Sequence, residues 1–252
     1  MGKPVLLLRL EGPLQSWGSR SRWDVRDTQP EPTKSGVIGL LGCALGYPVG
    51  DPRLEQRLDA GLRFGVRVEE PGRAIQDYQT ITDFLPTAEG KFKHSGVKVA
   101  ASLEKLRADP HAIPATIISP RAYLEDASFL AALEETGAAP GVLAECAAAL
   151  QRPAWPYYLG RKACVPTRPI FEALTEAYAG IEDALRRHPW SWLGASLHPR
   201  AGAPAVVEAY VEDESGPLVR QDAVLTNVAR QYGFRRARRL EVRLAPAQGD
   251  AP

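Results

Sequence analysis

The chain has 252 residues, of which 44% are hydrophobic and 24% are charged, as in an ordinary folded globular protein. No stretch reaches the ~18 apolar residues of a membrane span and no signal peptide is recognisable, so we expect a cytoplasmic protein without membrane contact. The net charge of +1 excludes a chain that is basic throughout, so any nucleic-acid-binding surface has to be local.

The three cysteines are far apart in the sequence, and none of them forms a CxxC pair. The four histidines lie at a distance from them, so the ligand spacing that is typical of zinc sites is missing. The phosphate-binding motif GxxxxGK[ST] of nucleotide-binding proteins is also absent. We therefore expect no metal, no cofactor and no disulfide framework.

The first third of the chain has clear secondary-structure patterns. An apolar run indicates a strand, and a capping residue followed by apolar residues and Gly46 indicates a helix. Alternation of apolar and polar residues then indicates a half-buried strand, and Glu70-Pro71-Gly72 forms a turn into its partner. These patterns predict a strand at residues 4–10, helices at 33–46 and 51–58, and strands at 62–69 and 73–82.

Residues 83–120 show no packing period and are too long for a passive connection, so we predict a working loop or a protruding hairpin that serves in assembly. Residues 122–133 fit either a helix or a strand. The remaining patterns predict helices at 141–150 and 171–188, an irregular segment at 155–169, and strands at 205–211 and 238–244. This order permits a ferredoxin-like βαββαβ unit with an insertion, followed by a smaller C-terminal part.

Glycine recurs every three residues within the first helix, at Gly36, Gly39 and Gly42. Each interior glycine costs about 1 kcal/mol relative to alanine, so we expect close approach of another backbone, and a clash in Gly39→Ala. Lys34, Ser35 and Gly36 also lie at the helix N-terminus, where free N–H groups attract phosphate. Tight packing on a sheet alone explains the same glycines.

Two loops combine aromatic rings with cations. Because bases stack on aromatic rings and arginine binds phosphate, this combination suits single-stranded RNA. Anchoring of the first loop in the core is the alternative role for its tryptophans. The candidate RNA-binding residues in these loops are Trp17, Arg20, Arg22, Tyr158, Arg161 and Lys162.

The densest basic cluster lies near the C-terminus, and in it Arg230 and Arg235 are candidate RNA-binding residues. On a strand, Arg239 and Arg243 share a face. Charges that protect an edge strand from aggregation explain the same cluster. Its members are Arg230, Arg235, Arg236, Arg238, Arg239 and Arg243.

Signatures of catalysis such as GxSxG, HExxH or paired carboxylates are missing. Lys93 and His94, helped by a tyrosine such as Tyr47, are the one candidate pair for acid–base cleavage of RNA. A single Lys-His pair is a weak signal, and we assign no catalytic residue.

Six sequence blocks resemble the CasD family of the type I-E CRISPR Cascade complex. The first two, LRLEGPLQSWG and PTKSGVIGLLG, are the most specific, and the blocks follow one another in family order over nearly the whole chain. They lie at residues 8–18, 32–42, 77–80, 123–129, 158–164 and 230–232.

The resemblance implies an α+β fold with a ferredoxin-like or RRM-like N-terminal domain at 1–168, a β-hairpin thumb inserted at about 83–120, and a small β-rich C-terminal region at 169–252. It also implies a strand at 122–133. Family members grip the 5′ handle of the CRISPR RNA beside the CasC backbone subunits and the large CasA subunit, and meet target DNA only through the complex.

Members of the type I-E family are not nucleases, although a related subtype uses this subunit as an endoribonuclease with a Tyr, a Lys and a His. The resemblance therefore implies a non-catalytic RNA-binding subunit. A metal-independent endoribonuclease that processes CRISPR repeat RNA is the alternative. A third hypothesis is an assembly subunit that binds only proteins, with its cations in salt bridges.

Overall fold

The computed structural model describes residues 2–19, 26–82, 116–197, 204–226 and 232–244. The chain divides into two compact units. Met1–Ser19, Thr28–Ile75 and Tyr123–Pro252 form the first unit, and Arg20–Asp27 and Gln76–Ala122 form the second.

A seven-stranded sheet forms the centre of the first unit, and the strand pairs whose register is defined are antiparallel. Its strands are β1 (Val5–Glu11), β3 (Leu62–Glu70), β6 (Ser128–Glu135), β7 (Phe171–Thr175), β8 (Val206–Glu212), β9 (Leu218–Val224) and β10 (Tyr232–Arg243). They lie in the order β7-β1-β6-β3-β8-β10-β9. The fold is therefore mixed α/β with mostly antiparallel strands.

The strands β2 (Leu14–Gln15), β4 (Arg73–Thr82) and β5 (Thr116–Glu125) form a second sheet in the order β2-β5-β4. Gly72 lies in the turn from β3 to β4, where the sequence predicted a turn, and its φ of 68° is in the region that favours glycine. Residues 116–120 of the predicted thumb belong to β5, and residues 83–115 lie outside the described residues.

Helices cover both faces of the large sheet. On one face, α1 (Lys34–Leu45) and α2 (Val142–Gln151) pack with Leu6, Leu8 and Phe64 in the larger apolar core. On the other face, α3 (Ile181–Arg187) packs with Val5 and Leu7 in a smaller one. Because β1 contributes to both cores, all of its residues are buried, which explains its unbroken apolar run.

Two local predictions were wrong. Residues 171–188 are not one helix but β7 followed by α3, because Phe171–Thr175 pairs with β1 and this pairing overrides helix propensity. β3 is buried on both faces rather than half-buried, since Arg67 is 0% exposed. The strand that the resemblance implied for residues 122–133 is confirmed, and it consists of the end of β5 and most of β6, joined at Asp126, whose φ is 55°.

Most other elements were predicted correctly, with three differences of detail. The short helix before β3 is a π-helix at Leu54–Asp59, and the strands β2 and β9 were not predicted. Strands from both sides of the predicted domain boundary at 168/169 share the large sheet, and the boundary falls within one compact unit. In the part of the chain that the structure describes, no helix is both long and apolar enough to cross a membrane.

Candidate nucleic-acid interface

The two loops that were predicted to bind RNA lie against each other. The N–H of Ser16 donates a hydrogen bond to the carbonyl of Leu159 at 3.0 Å. Gly160 has a φ of 97°, and a Cβ there would overlap the carbonyl oxygen of Ser16, so only glycine fits. The loop of residues 157–168, here called the Tyr158 loop, is thus fixed beside the loop of residues 12–19.

A tight turn within the Tyr158 loop determines which side chains are accessible. The N–H of Leu159 donates a hydrogen bond to the carbonyl of Cys164, and the N–H of Cys164 donates one to the carbonyl of Arg161, both at 2.8 Å. Tyr158 is half-buried, and Arg161 lies over the ring of Tyr123 with 4.6 Å between its Cζ atom and the ring centroid. Lys162 is exposed, and it has no hydrogen-bond or ion-pair partner among the described residues. The turn therefore presents a tyrosine and a free cation at one place.

The predicted stacking role of Trp17 was wrong. Its side chain is 1% exposed, and its Nε1 donates to the Oε1 of Gln15 at 3.0 Å. One side of the ring faces Gly36, where a Cβ would lie 2.8 Å from the Cε3 atom of Trp17. Trp17 therefore anchors its loop in the core, which was the alternative role considered for this residue. The missing side chain of Gly36 leaves space for the indole.

The predicted phosphate site at the start of α1 is occupied by the protein's own side chains. The backbone N–H of Lys34 donates to the Oδ2 of Asp222 at 2.8 Å, and that of Gly36 donates to the Oγ1 of Thr33 at 3.2 Å. Ser35 is buried beside them. A carboxylate at a helix N-terminus has the favourable charge that a phosphate would have. Phosphate binding by Lys34, Ser35 and Gly36 in this conformation is therefore excluded.

The side chain of Lys34 is also used inside the protein. It is 3% exposed, and its Nζ donates to the carbonyl of Asp59 at 2.8 Å and lies 3.0 Å from the Oε2 of Glu212. Burial raises the pKa of Asp59 to about 6, although Lys34 opposes this shift. The lysine thus stabilises buried carboxylates of this chain instead of an external phosphate.

Arg235 also has an internal partner, which corrects its predicted role. Its Nε and Nη2 donate to the two carboxylate oxygens of Asp222 at 2.7 and 2.8 Å. Arg238 pairs with Asp213 and Arg239 pairs with Glu208, so much of the basic cluster is neutralised. As predicted for a strand, Arg239 and Arg243 are both exposed while Leu240 and Val242 between them are buried. The candidates Arg20, Arg22 and Arg230, and the pair Lys93 and His94, lie outside the described residues.

Comparison with known proteins identifies the family. Residues 5–238 match the family model described as CRISPR-associated protein (Cas_Cas5). The chain belongs to this family. Its Tyr158 loop, α1 and most of β10 all lie within the matched range.

Relatives of known identity agree with this assignment. The CRISPR system Cascade subunit CasD of Escherichia coli (strain K12) is 33% identical over 183 residues, which are 69% of this chain and 73% of that protein. A crystal structure of a Cas protein is 33% identical, with a TM-score of 0.64 over 95% of each chain. A chain of a CRISPR RNA-guided surveillance complex is 29% identical, with a TM-score of 0.68, over 97% of this chain and 95% of that one.

The sequence reasoning did not identify a buried ion cluster in this Cas5 family member. Arg9 and Arg67 both donate to the Oε1 of Glu69, at 2.8 and 2.6 Å, and all three residues are at most 1% exposed. Arg67 also donates to the carbonyls of Leu185 and His188, and the cluster therefore holds the end of α3 on the sheet. The available signal was Arg9, a charged residue inside the apolar run of β1.

The described residues contain neither a candidate metal site nor an activated cysteine. They contain no group of three His, Cys, Asp or Glu that could hold a metal ion. Burial raises the pKa of the Cys43 and Cys164 thiols and raises that of Cys146 to about 12, so none of the three is an activated nucleophile. The accessible features of this region suit binding by charge and ring stacking.

Proposed function

We propose that the chain is a non-catalytic RNA-binding subunit of a type I-E Cascade surveillance complex. In this proposal it grips the 5′ handle of the CRISPR RNA and contacts the CasC backbone subunits and the CasA subunit. Its membership of the Cas5 family supports this, as do the names of the similar proteins, one a Cascade subunit and one a chain of an RNA-guided complex.

The observation that carries the RNA-binding part is the fixed Tyr158 loop. Its turn holds Lys162 exposed, with no partner among the residues that the structure describes, next to the half-buried ring of Tyr158. A lysine ammonium binds a phosphate oxygen, and a tyrosine ring stacks on an unpaired base. Because Gly160 lies directly against Ser16, the loop is held in position before RNA binds.

The sheet order supports the proposed ferredoxin-like, RRM-like core. The strands β1, β3, β6 and β7 and the helices α1 and α2 follow one another as β1-α1-β3-β6-α2-β7. They lie side by side as β7-β1-β6-β3, and each neighbouring pair is antiparallel. This order agrees with the proposed βαββαβ unit, to which β2, β4 and β5 would be additions.

A crosslinking map of the full-length chain with its guide RNA tests this function. We expect ultraviolet crosslinks in the peptide that contains Tyr158 and Lys162, and their loss when the double variant Tyr158→Ala/Lys162→Ala is used. Lys3→Ala is the matched control, because Lys3 is also an exposed lysine. It precedes β1, whereas the loop of residues 12–19, which contacts the Tyr158 loop, follows that strand. A chain that forms no crosslink to RNA would favour the assembly subunit that binds only proteins.

The endoribonuclease remains the competing function, and Lys93 and His94 are its candidate residues. Among the described residues His188 is the one histidine, and both of its ring nitrogens are engaged. Its Nδ1 lies 3.0 Å from the hydroxyl of Tyr178 and its Nε2 lies 3.1 Å from Glu172, which supports a structural role. Incubation with unprocessed repeat RNA without metal separates the two functions. Specific cleavage that is lost in His94→Ala would replace our proposal.

A further inference from the structure

An exposed aromatic ring and an exposed cation share one face at the edge of the large sheet. β9 is the terminal strand of that sheet and pairs with β10, where Val219 of β9 is the register partner of Arg236. Phe234 precedes Arg236 by two residues on β10, so their side chains point to the same face. Phe234 is 71% exposed, Val219 is 59% exposed, and Arg236 is also exposed.

These residues border an open cleft, here called the Phe234 cleft. Its volume of about 440 Å³ is within the range of about 300–1,000 Å³ that is usual for small-ligand sites. Two of its charged residues, Glu212 and Arg235, are ion-paired inside the chain. Glu214 is exposed and has no partner among the described residues, and Arg236 forms no ion pair with any of them. The cleft is lined by Glu212, Glu214, Val219, Phe234, Arg235 and Arg236.

Backbone contacts hold Arg236 in place before any ligand binds. The Nη1 of Arg236 donates to the carbonyl of Gly216 at 3.2 Å, and the N–H of Asp213 donates to the carbonyl of Arg236 at 3.1 Å. A Cβ at Gly216 would lie 2.3 Å from the carbonyl oxygen of Ala237, so the turn from β8 to β9 lies directly against β10. A guanidinium has five N–H donors, so Arg236 keeps donors for a ligand.

We propose that the Phe234 cleft binds one unpaired nucleotide of the RNA, with its base stacked on the ring of Phe234 and its phosphate on Arg236. Bases of single-stranded RNA stack on aromatic rings, and guanidinium groups donate paired hydrogen bonds to phosphate oxygens. Glu214 repels a phosphate from its part of the cleft and can accept a hydrogen bond from an N–H group of the base edge. The cleft therefore orients the nucleotide as well as binding it.

A protein partner fits this cleft less well than a nucleotide does. Specific protein interfaces bury about 800 Å² on each partner, and charged residues are depleted at their centres. The exposed apolar side chains of the cleft are those of Val219 and Phe234, and four of its six lining residues are charged. This apolar area matches one base rather than the face of a protein.

This inference rests on the proposed RNA-binding function and adds a second contact to it. The Phe234 cleft shares no residue with the Tyr158 loop. Each site can therefore be lost without the other, and separate variants distinguish them.

The affinity of the full-length chain for fluorescently labelled guide RNA, measured at several salt concentrations, tests the cleft. Phe234→Leu keeps an apolar side chain but removes the ring, so binding should weaken about tenfold with an unchanged slope of log K against log salt. Phe234→Tyr keeps the ring and should bind as the wild type does. Arg236→Gln should lower the slope by about one, as expected for one lost phosphate contact.

Two matched controls come from the same sheet. Leu174 is an exposed leucine on β7, at the opposite edge, and Arg243 is an exposed arginine of β10 without a partner among the described residues. Leu174→Ala and Arg243→Gln should leave affinity and slope unchanged. The melting temperature of free Phe234→Leu should equal that of the wild type, because the ring is largely exposed. A lower value would show that the ring packs within the chain and would overturn the site.

Guide RNA with an abasic nucleotide at each unpaired position in turn identifies the stacked base. One position should cost the wild type about tenfold in affinity and cost Phe234→Leu nothing, because the variant has already lost the stacking contact. If every abasic position weakens both proteins equally, no base stacks on Phe234 and the inference is wrong.

Different outcomes identify what has failed. If the wild type does not bind RNA, the proposed function is wrong and the cleft falls with it. If the wild type binds, and Phe234→Leu and Arg236→Gln keep its affinity and slope, the cleft alone is wrong. If Phe234→Leu binds RNA normally but no longer joins the other subunits, a protein partner occupies the cleft, and this also overturns the proposal.

Discussion

Lys34 and Lys162 have similar sequence surroundings but opposite environments in the structure. Each stands within two residues of a glycine, in a block that resembles the same family, and both were predicted to bind phosphate. Lys34 is 3% exposed and lies between Glu212 and Asp59. Lys162 is exposed and has no partner among the described residues. The first lysine has a folding role, and only the second is available for RNA.

The difference shows why a local phosphate-binding motif is an uncertain guide in a charge-balanced chain. The helix N-terminus at Lys34 attracts the closest available anion, which is Asp222 from β9. The chain has 30 acidic residues against 31 basic ones, so internal carboxylates are plentiful. Lys34 in the first turn of α1 finds such partners, whereas Lys162 on the Tyr158 loop has none among the described residues. Four measurements test this distinction.

Replacing Lys34 should have the largest effect on stability. Lys34→Ala leaves Glu212 and Asp59 without their cation in a largely buried position, and breaking such a pair costs about 3 kcal/mol. The free energy of unfolding, measured in urea, should fall by about this amount, while Lys162→Ala should stay within about 0.5 kcal/mol of the wild type. The salt dependence of RNA binding by Lys34→Ala should equal that of the wild type. A reduced slope would restore the predicted phosphate site.

The carboxyl group of Asp59 should make stability depend on pH. Its pKa in the folded protein is about 6, raised from 3.8 by burial. A raised carboxyl pKa means that the folded state binds the extra proton, so this contribution is present below pH 4 and is lost as the pH rises to about 6 and above. The loss amounts to about 2–3 kcal/mol at most. Comparing unfolding free energies of the wild type and Asp59→Asn from pH 4 to pH 7 isolates it. Parallel curves would contradict the raised pKa.

Replacing Lys162 should affect RNA binding and not folding. Lys162→Ala removes one exposed charge and should lower the slope of log K against log salt by about one. Lys3→Ala, at the N-terminal side of β1, should leave the slope unchanged and serves as the control. Equal slopes for the wild type and both variants would remove the Tyr158 loop from the interface.

The sequence predicted those parts of the fold that depend on local patterns. The apolar run of β1, the capped helix α1 and the Gly72 turn were found as expected. The error at 171–188 arose because β7 forms only by pairing with β1, which lies about 165 residues away in the chain. Pairing over such a distance leaves no local pattern in one sequence.

The site was harder to predict than the fold, because access depends on long-range partners. Three of the predicted residues are of types that bind RNA but already have partners within the chain. Trp17 donates a hydrogen bond to Gln15, Lys34 pairs with Glu212, and Arg235 pairs with Asp222. A residue type shows what a side chain can bind. Only the folded arrangement shows whether it is already bound.

The last prediction concerns the three glycines of α1, which lie in different surroundings. A Cβ at Gly36 would lie 2.8 Å from Trp17 and 2.9 Å from Thr33, and a Cβ at Gly42 would overlap Leu54, as the close-packing hypothesis requires. Gly39 is exposed, and no described residue lies within 4 Å of its Cβ position, so the clash predicted for Gly39→Ala was wrong for the described part of the free chain. The glycine period therefore has no single cause.

Gly39→Ala should stabilise the free chain by up to about 1 kcal/mol, because alanine restricts the unfolded backbone more and meets no obstacle in the folded one. Gly36→Ala gains the same helix propensity but forces a methyl group into the indole of Trp17, and overpacking of this kind costs about 1–3 kcal/mol. The melting temperature should thus rise for Gly39→Ala and fall for Gly36→Ala. If Gly39→Ala melts higher alone yet fails to bind RNA or to assemble, the close approach that explains this glycine is made by a partner. If it melts lower, a segment of this chain covers Gly39, and the distinction between the two glycines is lost.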